Sequence, residues 1–308
     1  MAPAHSDLDL AQLVWRWHLR PDVLAVLVGF GALYVVGWRR LRARRSAALA
    51  SPWLLAVYLT GLASVAVALL SPLDALADLL FTAHMVQHQL LLMVAPPLLL
   101  LGNPYPFVLW GLPHGVRRRL GSTLTVTGTL RVAWRHLTWM PVAGALYMLV
   151  LFTWHHPAFY QAALEHRGLH DLEHLSFFAT AVLFWWPVVN PAPRLRRLTS
   201  GLQYGYRIGY LVLATGLNTL LGTVLGMSAR VLYPAYAAAP RVLDDWSALD
   251  DQAFGGGIMW SGSHMYLLAI LILVARALRA EERRALTVAV AAAAESEQNE
   301  DARPPSLV

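Results

Sequence analysis

Seven long apolar segments dominate this sequence and restrict it to one kind of fold. They cover residues 23–38, 52–70, 79–101, 137–155, 171–189, 206–227 and 254–275. A helix needs about 20 apolar residues to cross the hydrocarbon core of a bilayer. Because lipid offers no hydrogen bonds to an exposed backbone, segments of this kind cross as helices. The sequence therefore predicts an all-α, polytopic membrane helix bundle with seven transmembrane helices.

The composition agrees with a membrane protein, since 57% of the residues are hydrophobic and only 14% are charged. The chain contains no cysteine, which excludes thiolate zinc sites, iron–sulfur clusters and cysteine nucleophiles. The formal net charge of +6 does not predict nucleic-acid binding, because the arginines lie in short blocks between the apolar segments. The first ten residues carry acidic side chains where a secretory signal carries positive ones, so no cleaved leader is predicted.

The arginine blocks predict how the chain is oriented in the membrane. They follow the first, third, fifth and seventh apolar segments, at residues 39–45, 117–135, 194–197 and 276–284. Because basic connections stay on the cytoplasmic side, the N-terminus is predicted outside and the C-terminus in the cytoplasm. Residues 1–280 are then one membrane domain. Residues 281–308 are predicted to be a partly disordered cytoplasmic tail.

Histidines gather at the predicted outer ends of three segments. His84 and His88 lie four residues apart near the start of the third segment, so they share one helix face. His155 ends the fourth segment, and His170 and His174 begin the fifth with the same spacing. All five are predicted about one to two helical turns, or 5–10 Å, below the outer surface. Because an imidazole is costly to bury in lipid without a partner, these residues are functional-site candidates.

The donor types in this region suit a copper ion, Cu(I) or Cu(II), in an outward-facing His/Met site. Imidazole with thioether ligands favours copper, whereas imidazole with carboxylates also suits zinc or iron. The carboxylates of Asp250, Asp251 and Glu173 fall in the same region. Interhelical hydrogen bonding or a polar belt at the membrane surface would also explain the histidines. Beyond the five histidines, the further candidate ligands are His156, His264, Met259 and Asp251.

Four sequence blocks occur in an order that resembles the multi-span bacterial CtaG family, the caa3-type cytochrome c oxidase assembly factors. They read HMVQHQLLLMVAPPLLLLGNP, WHHPAFY, LHDLEHLSFFATAVLFWWPVVNP and DQAFGGGIMW. The resemblance covers most of residues 70–276, and the N-terminal helix and the tail lie outside it. Carried over position by position, the family blocks include His84, His88, His155, His170, His174, Asp251 and Gln252. His156, His166 and His264 are not part of the family pattern, although His156 stands within the WHHPAFY block.

This resemblance implies a protein that is not an enzyme and that helps to metallate a haem–copper oxidase, at the step of copper insertion. It also implies a multi-pass location in the bacterial cytoplasmic membrane. Expected partners are the lipid bilayer and cytochrome c oxidase subunits or a copper chaperone. A homo-oligomer is compatible with this function, and nucleic acid is not an expected partner.

Three other functions can be built on the same histidines. A membrane di-iron oxygenase also uses histidine boxes, but these normally face the cytoplasm. A haem-binding electron-transfer protein would use axial histidines from two helices. A copper transporter would need polar residues through the inner half of the membrane, where His264 and Asn218 are the obvious ones. Iron-dependent turnover, a Soret band and vesicle counterflow, respectively, would identify these alternatives.

Overall fold

The computed structural model describes residues 15, 17–44, 50–123, 128–191, 201–242 and 245–301. All regular secondary structure in these ranges is helical, which confirms the all-α prediction. The first helices are α1 Pro21–Ala43, α2 Pro52–Leu70, α3 Pro72–Ala77, α4 Phe81–Gln89, a π-helical turn Leu90–Val94, α5 Ala95–Leu101, α6 Pro104–Gly111 and α7 His114–Thr123. The later ones are α8 Thr129–Leu137, α9 Met140–His155, α10 Pro157–Glu165, α11 Arg167–Val189, α12 Gly201–Gly226, α13 Pro234–Ala238 and α14 Ala248–Asp301.

Six helical segments in the described part of the chain are long and apolar enough to cross a membrane. They are Pro21–Ala43, Pro52–Leu70, Phe81–Leu101, Arg167–Val189, Leu202–Gly226 and Ala248–Ala293. The pair of α8 and α9, bent by 65°, gives a seventh if it is counted as one span. Six to seven spans therefore agree with the number predicted from sequence.

The predicted fourth span, residues 137–155, is confirmed as one helix over Met140–His155, and the chain bends at the start of the span. Helix α8 ends at Leu137 and α9 begins at Met140, where the chain bends. Pro141 explains the break, because a proline has no backbone N–H and is tolerated only in the first turn of a helix. The predicted apolar segment begins at this point, and the helix before the bend, α8, was not predicted.

The third span changes its helical geometry directly before two prolines. The backbone carbonyl of Leu92 would normally accept a hydrogen bond from the N–H of the residue four or five positions later. Those residues are Pro96 and Pro97, which have no N–H to donate. The indole N–H of Trp185 on α11 donates to the Leu92 carbonyl oxygen instead, at 2.9 Å. This hydrogen bond joins α11 to the middle of the span that carries His84 and His88.

Helices α12 and α14 pack closely through glycine. A Cβ atom on Gly256 of α14 would overlap the backbone of Gly226 and lie 2.8 Å from the carbonyl oxygen of Gly222. Small residues allow this approach, and van der Waals contact between helices is a main source of stability in lipid. The preceding residue, Gly255, gives similar room to the ring of Phe81 at the start of α4. The glycines therefore hold α14 against both α12 and α4.

Helix α14 continues far beyond the segment predicted from hydropathy. It reaches Asp301, through the residues predicted to form a partly disordered tail. Its alanine-rich sequence explains the continuation, since alanine has the highest intrinsic helix propensity. The side chains of residues 281–293 are exposed. Residues 302–308 of the predicted tail lie outside the described residues.

The histidine end and the arginine end of the bundle are each held together by their own contacts. At the histidine end, Tyr236 from the 227–247 connection reaches His84 of α4. At the other end, the guanidinium of Arg40 donates to the carbonyl oxygens of Trp110, Gly111 and Leu112. Arg117 lies over the Trp110 ring, 4.2 Å from its centroid. The bundle is thus chemically asymmetric along its length.

Candidate metal site

Five imidazoles from three helices meet in one pocket. His84 and His88 project from α4, His155 from the end of α9, and His170 and His174 from the start of α11. The ring centroids of His84 and His170 are 5.1 Å apart, and those of His88 and His155 are 5.5 Å apart. His174 joins the two groups, since its ring lies 5.8 Å from His84 and 5.5 Å from His88. The structure therefore brings together the five histidines singled out from the sequence.

Four residues in this pocket form a compact group of potential ligands. His84, His170, Glu173 and His174 each offer one ligand atom, and these atoms all lie within 4.8 Å of one another. The Nε2 atoms of His84 and His170 are 3.4 Å apart. Glu173 is fully buried, with no exposed surface. An ion within this group could contact all four residues.

Sequence reasoning noted Glu173 but placed Asp251, not Glu173, among the candidate ligands. The available signal was the spacing within LHDLEH, since His170, Glu173 and His174 stand at positions i, i+3 and i+4. These positions share one face of a helix. The spacing therefore places the carboxylate on the same side of α11 as the two imidazoles.

Hydrogen bonds fix which nitrogen of His84 faces the pocket. The hydroxyl of Tyr236 donates its one proton to the carbonyl oxygen of Ala77, at 3.0 Å. The Tyr236 oxygen must therefore accept a hydrogen bond from His84 Nδ1, 2.7 Å away, and another from the Tyr160 hydroxyl, 3.1 Å away. Burial raises the pKa of the Tyr236 phenol, so this group remains a neutral hydroxyl at physiological pH. With Nδ1 protonated, His84 Nε2 presents a lone pair towards His170.

The backbone orients His155 in the same way. Its Nδ1 lies 2.8 Å from the carbonyl oxygen of Leu151, which can only accept a hydrogen bond. The proton of neutral His155 is therefore on Nδ1, and Nε2 carries the lone pair. The hydroxyl of Tyr233 also donates to the His155 carbonyl oxygen, at 2.8 Å. Hydrogen bonds of this kind orient the ligands of known metal sites.

Several buried polar atoms of the pocket have no hydrogen-bond partner within the protein. They are both ring nitrogens of His88, Nε2 of His155, Nε2 of His174 and both carboxylate oxygens of Glu173. Buried polar atoms are nearly always satisfied, because an unpaired one costs about 1–3 kcal/mol. Lone pairs on imidazole nitrogens and carboxylate oxygens are ligands for a metal ion. The unpartnered atoms of the pocket therefore fit a cation.

The remaining candidates from the sequence do not reach this pocket. His156 is exposed beside Phe159, and His264 is exposed with its Nδ1 against the carbonyl oxygen of Ser261. The sulfur of Met259 accepts a hydrogen bond from the side-chain amide N–H of Gln89, at 3.0 Å. The pocket thus offers nitrogen and oxygen donors, and Met259 is engaged elsewhere.

Asp251 caps the N-terminus of α4 instead of lining the pocket. Its carboxylate accepts from the backbone N–H groups of Phe81 and Thr82, at 2.6 and 3.0 Å. Those amides have no partner within their own helix. The next residue, Gln252, bonds Leu232 and Arg230 in the 227–247 connection. The DQ block therefore holds the framework around the histidines.

The pocket is partly exposed on the side of His170. His84, His88, His155 and His174 are buried, whereas His170 is only partly so. Polar contacts surround this side: His18 Nδ1 lies 2.9 Å from Asp74, and Arg20 forms an ion pair with Asp171, the residue after His170. His170 is therefore the one histidine of the five that is partly exposed.

Comparisons with known proteins place the sequence in a family. A family model described as cytochrome c oxidase caa3 assembly factor (Caa3_CtaG) matches residues 32–281, which include all five histidines and Glu173. Uncharacterized protein Mb0105 of Mycobacterium bovis is 27% identical over 280 residues, covering 88% of this chain and 40% of that protein. Uncharacterized protein ML1998 of Mycobacterium leprae is 26% identical over 283 residues, covering 89% and 41%. The chain thus spans about two fifths of the length of these relatives. No solved structure matches it.

Proposed function

We propose, from the premise that this chain belongs to the cytochrome c oxidase caa3 assembly factor family, that it binds copper and delivers it to a haem–copper oxidase during assembly. Family membership supports the role in oxidase assembly. The pocket of five imidazoles and one carboxylate supports the role in metal handling. Copper is the cargo in this proposal, and no substrate is turned over.

The observation that carries the proposal is the set of unpartnered ligand atoms in a buried pocket. His88, His155, His174 and Glu173 all have such atoms. Neutral imidazoles bind copper in either oxidation state, and the carboxylate supplies negative charge that offsets the charge of the ion. The hydrogen bonds to His84 and His155 orient their free nitrogens before an ion arrives.

Delivery requires that the ligands be exchanged one at a time. His170 is the partly exposed member of the group, so it is the first residue that an incoming donor or acceptor can reach. The buried imidazoles behind it would hold the ion until the acceptor has supplied its own ligands. Oxidase subunits or a copper chaperone are the proposed exchange partners, and a homo-oligomer is compatible with this scheme.

The proposed location is the bacterial cytoplasmic membrane, with seven spans, the N-terminus outside and the C-terminus in the cytoplasm. The arginine-rich connections support this orientation, because such connections are retained in the cytoplasm. The contacts of Arg40 and Arg117 with residues 110–112 belong to this basic end. The histidine pocket would then open outward, away from the cytoplasm.

Metal analysis of the purified full-length protein tests the proposal. We expect bound copper after equilibration and removal of excess, with an X-ray absorption spectrum typical of nitrogen and oxygen ligands. The double variant His84→Ala/His88→Ala should lose the copper and, in cells, the assembly of active oxidase. The exposed His264→Gln is the matched control and should retain both. Protein without copper, or an 84/88 variant that still supports active oxidase, would contradict the proposal.

A non-haem iron site is a second candidate, and Glu173 is the observation that favours it. Carboxylates bind iron more readily than they bind Cu(I), and iron oxygenases combine them with imidazole. The same metal analysis decides between the two candidates. Tightly bound iron with oxygen-dependent substrate turnover would support this function, and a Soret band would indicate haem instead.

A further inference from the structure

The pocket contains more ligands than one copper ion uses. Five imidazoles and one carboxylate converge there, whereas a tetrahedral metal site takes four ligands. The compact group accounts for His84, His170, His174 and one oxygen of Glu173. It does not include His88 or His155. These two residues therefore need a separate explanation.

His88 and His155 form a second, deeper group. Their ring centroids are 5.5 Å apart, and both residues are almost completely buried. Nε2 of His155 and both nitrogens of His88 have no hydrogen-bond partner in the protein. If these two residues served only for packing, apolar side chains would avoid the cost of unpaired polar atoms. Each neutral imidazole carries one lone pair, so His88 and His155 can each offer one ligand atom to an ion at this level as well.

Glu173 lies between the two groups. It contributes one ligand atom to the compact group, and its Oε1 lies 3.5 Å from Nε2 of His88. Both of its oxygens are without a hydrogen-bond partner. A carboxylate has two oxygens and can therefore contact two ions at once. The repulsion between two nearby cations would be offset by the negative charge placed between them.

We propose that the pocket holds two metal ions, an outer one bound by His84, His170 and His174 and an inner one bound by His88 and His155, with Glu173 shared between them. This inference rests on the proposed function, since the ions are taken to be copper. It adds the number of ions and the division of the ligands. The outer ion is the exchangeable one, because only its ligand set includes the partly exposed His170.

Copper stoichiometry of the full-length protein tests the inference. The protein would be titrated with Cu(I) without oxygen, against a chromophoric chelator that removes weakly held ions. We expect two copper ions per chain in the wild type. His155→Gln should bind only the outer ion and His170→Gln only the inner one. Glu173→Gln should weaken binding of the second ion by tenfold or more, since it loses the shared charge.

Spectroscopy gives a second readout, which the wild-type protein alone can provide. After loading with Cu(II), two ions about 4 Å apart, as in known two-metal sites, should give a coupled electron paramagnetic resonance spectrum. The spectrum of His155→Gln should be that of an isolated ion. His264→Gln is the control for binding to surface histidines, and it should keep two ions and the coupled spectrum.

The outcomes separate this inference from the function on which it rests. One copper per wild-type chain with an isolated-ion spectrum would overturn the two-ion arrangement and leave copper handling intact. No copper at all would overturn both. Two ions retained in His155→Gln would overturn the assignment of the inner ligands. If a variant does not fold, the wild-type stoichiometry and spectrum still decide.

Discussion

At the scale of single residues, the pocket depends on side chains that would not touch the metal. Tyr236 uses its hydroxyl to fix His84, to receive the hydroxyl of Tyr160 and to bond the Ala77 carbonyl oxygen. Nothing in the local sequence distinguishes this tyrosine from the ten others in the chain. Its role comes from a connection some 150 residues away from His84, folded back over the histidines.

Replacing Tyr236 with phenylalanine tests this positioning role. Tyr236→Phe removes the acceptor for His84 Nδ1, so the imidazole loses its fixed proton position and its fixed orientation. We expect copper binding to weaken about 10- to 100-fold, as for comparable supporting residues in metal sites. Competition with a chelator measures the change. The exposed Tyr206→Phe is the control, and equal affinities in the two variants would contradict the role.

Asp251 is a residue whose chemistry suggested a ligand and whose position makes it a helix cap. Its carboxylate serves two backbone amides at the start of α4. We expect Asp251→Ala to lower stability on the order of 2–4 kcal/mol, because both amides lose a charged acceptor. Thermal unfolding in detergent measures this.

The neighbouring residue supplies the control for that prediction. Asp250 accepts hydrogen bonds from the backbone N–H and the hydroxyl of Ser247, at the exposed start of α14. Asp250→Ala should therefore lower the free energy of unfolding by only about 0.5–1 kcal/mol. Folded Asp251→Ala protein should bind as much copper as the wild type. A stable Asp251→Ala protein that had lost its copper would instead identify Asp251 as a ligand.

At the scale of elements, the positions of the helices depend on where small residues allow close approach. The backbone of α14 touches that of α12 at Gly256, and the ring of Phe81 occupies the space beside Gly255. The three consecutive glycines of DQAFGGGIMW would weaken an isolated helix, since glycine lowers helix propensity. In the bundle, two of them are needed for contact between helices.

Two adjacent glycines make a matched pair for testing this contact. Gly256→Ala should destabilise the protein by about 1–3 kcal/mol, because the new methyl group meets the backbone of α12. Gly257→Ala should instead stabilise it by about 0.5–1 kcal/mol, since nothing lies within 4 Å of that position and alanine favours the helix. Thermal unfolding compares the two. A similar effect of both would contradict the close crossing.

At the scale of the whole molecule, the chain keeps opposite chemistries at the two ends of one bundle. Histidines and carboxylates meet at one end, and arginines and tryptophans at the other. The proposed delivery of copper depends on which end faces outward. The charge pattern favours the histidine end.

Single cysteines test the orientation, since the wild-type chain contains none. In intact cells, a membrane-impermeant maleimide should label Ala229→Cys, in the connection at the histidine end. It should label Ala285→Cys, on the exposed part of α14, only after the cells are permeabilised. The reverse pattern would place the pocket on the cytoplasmic side and would contradict outward delivery.

Hydropathy, residue spacing and composition were enough to predict an all-helical bundle with seven spans, where the structure has six to seven, and to single out five histidines on three helices. These features are encoded locally, because a span needs a run of apolar residues and a shared helix face needs spacing of three or four. The break between α8 and α9 and the long continuation of α14 were not predicted. Both arise where the apolar pattern gives no signal and the backbone preferences of single residues decide.

Beyond the five histidines, the membership of the pocket was decided by the tertiary structure. Glu173 lies inside it, Asp251 caps a helix, and His264 faces outward from α14. These three residues looked alike as polar side chains in or near apolar segments. What separates them is the rotation of each helix against its neighbours, which depends on packing between segments far apart in the chain. The sequence therefore determined which helices carry the histidines, and packing determined which other polar side chains meet them.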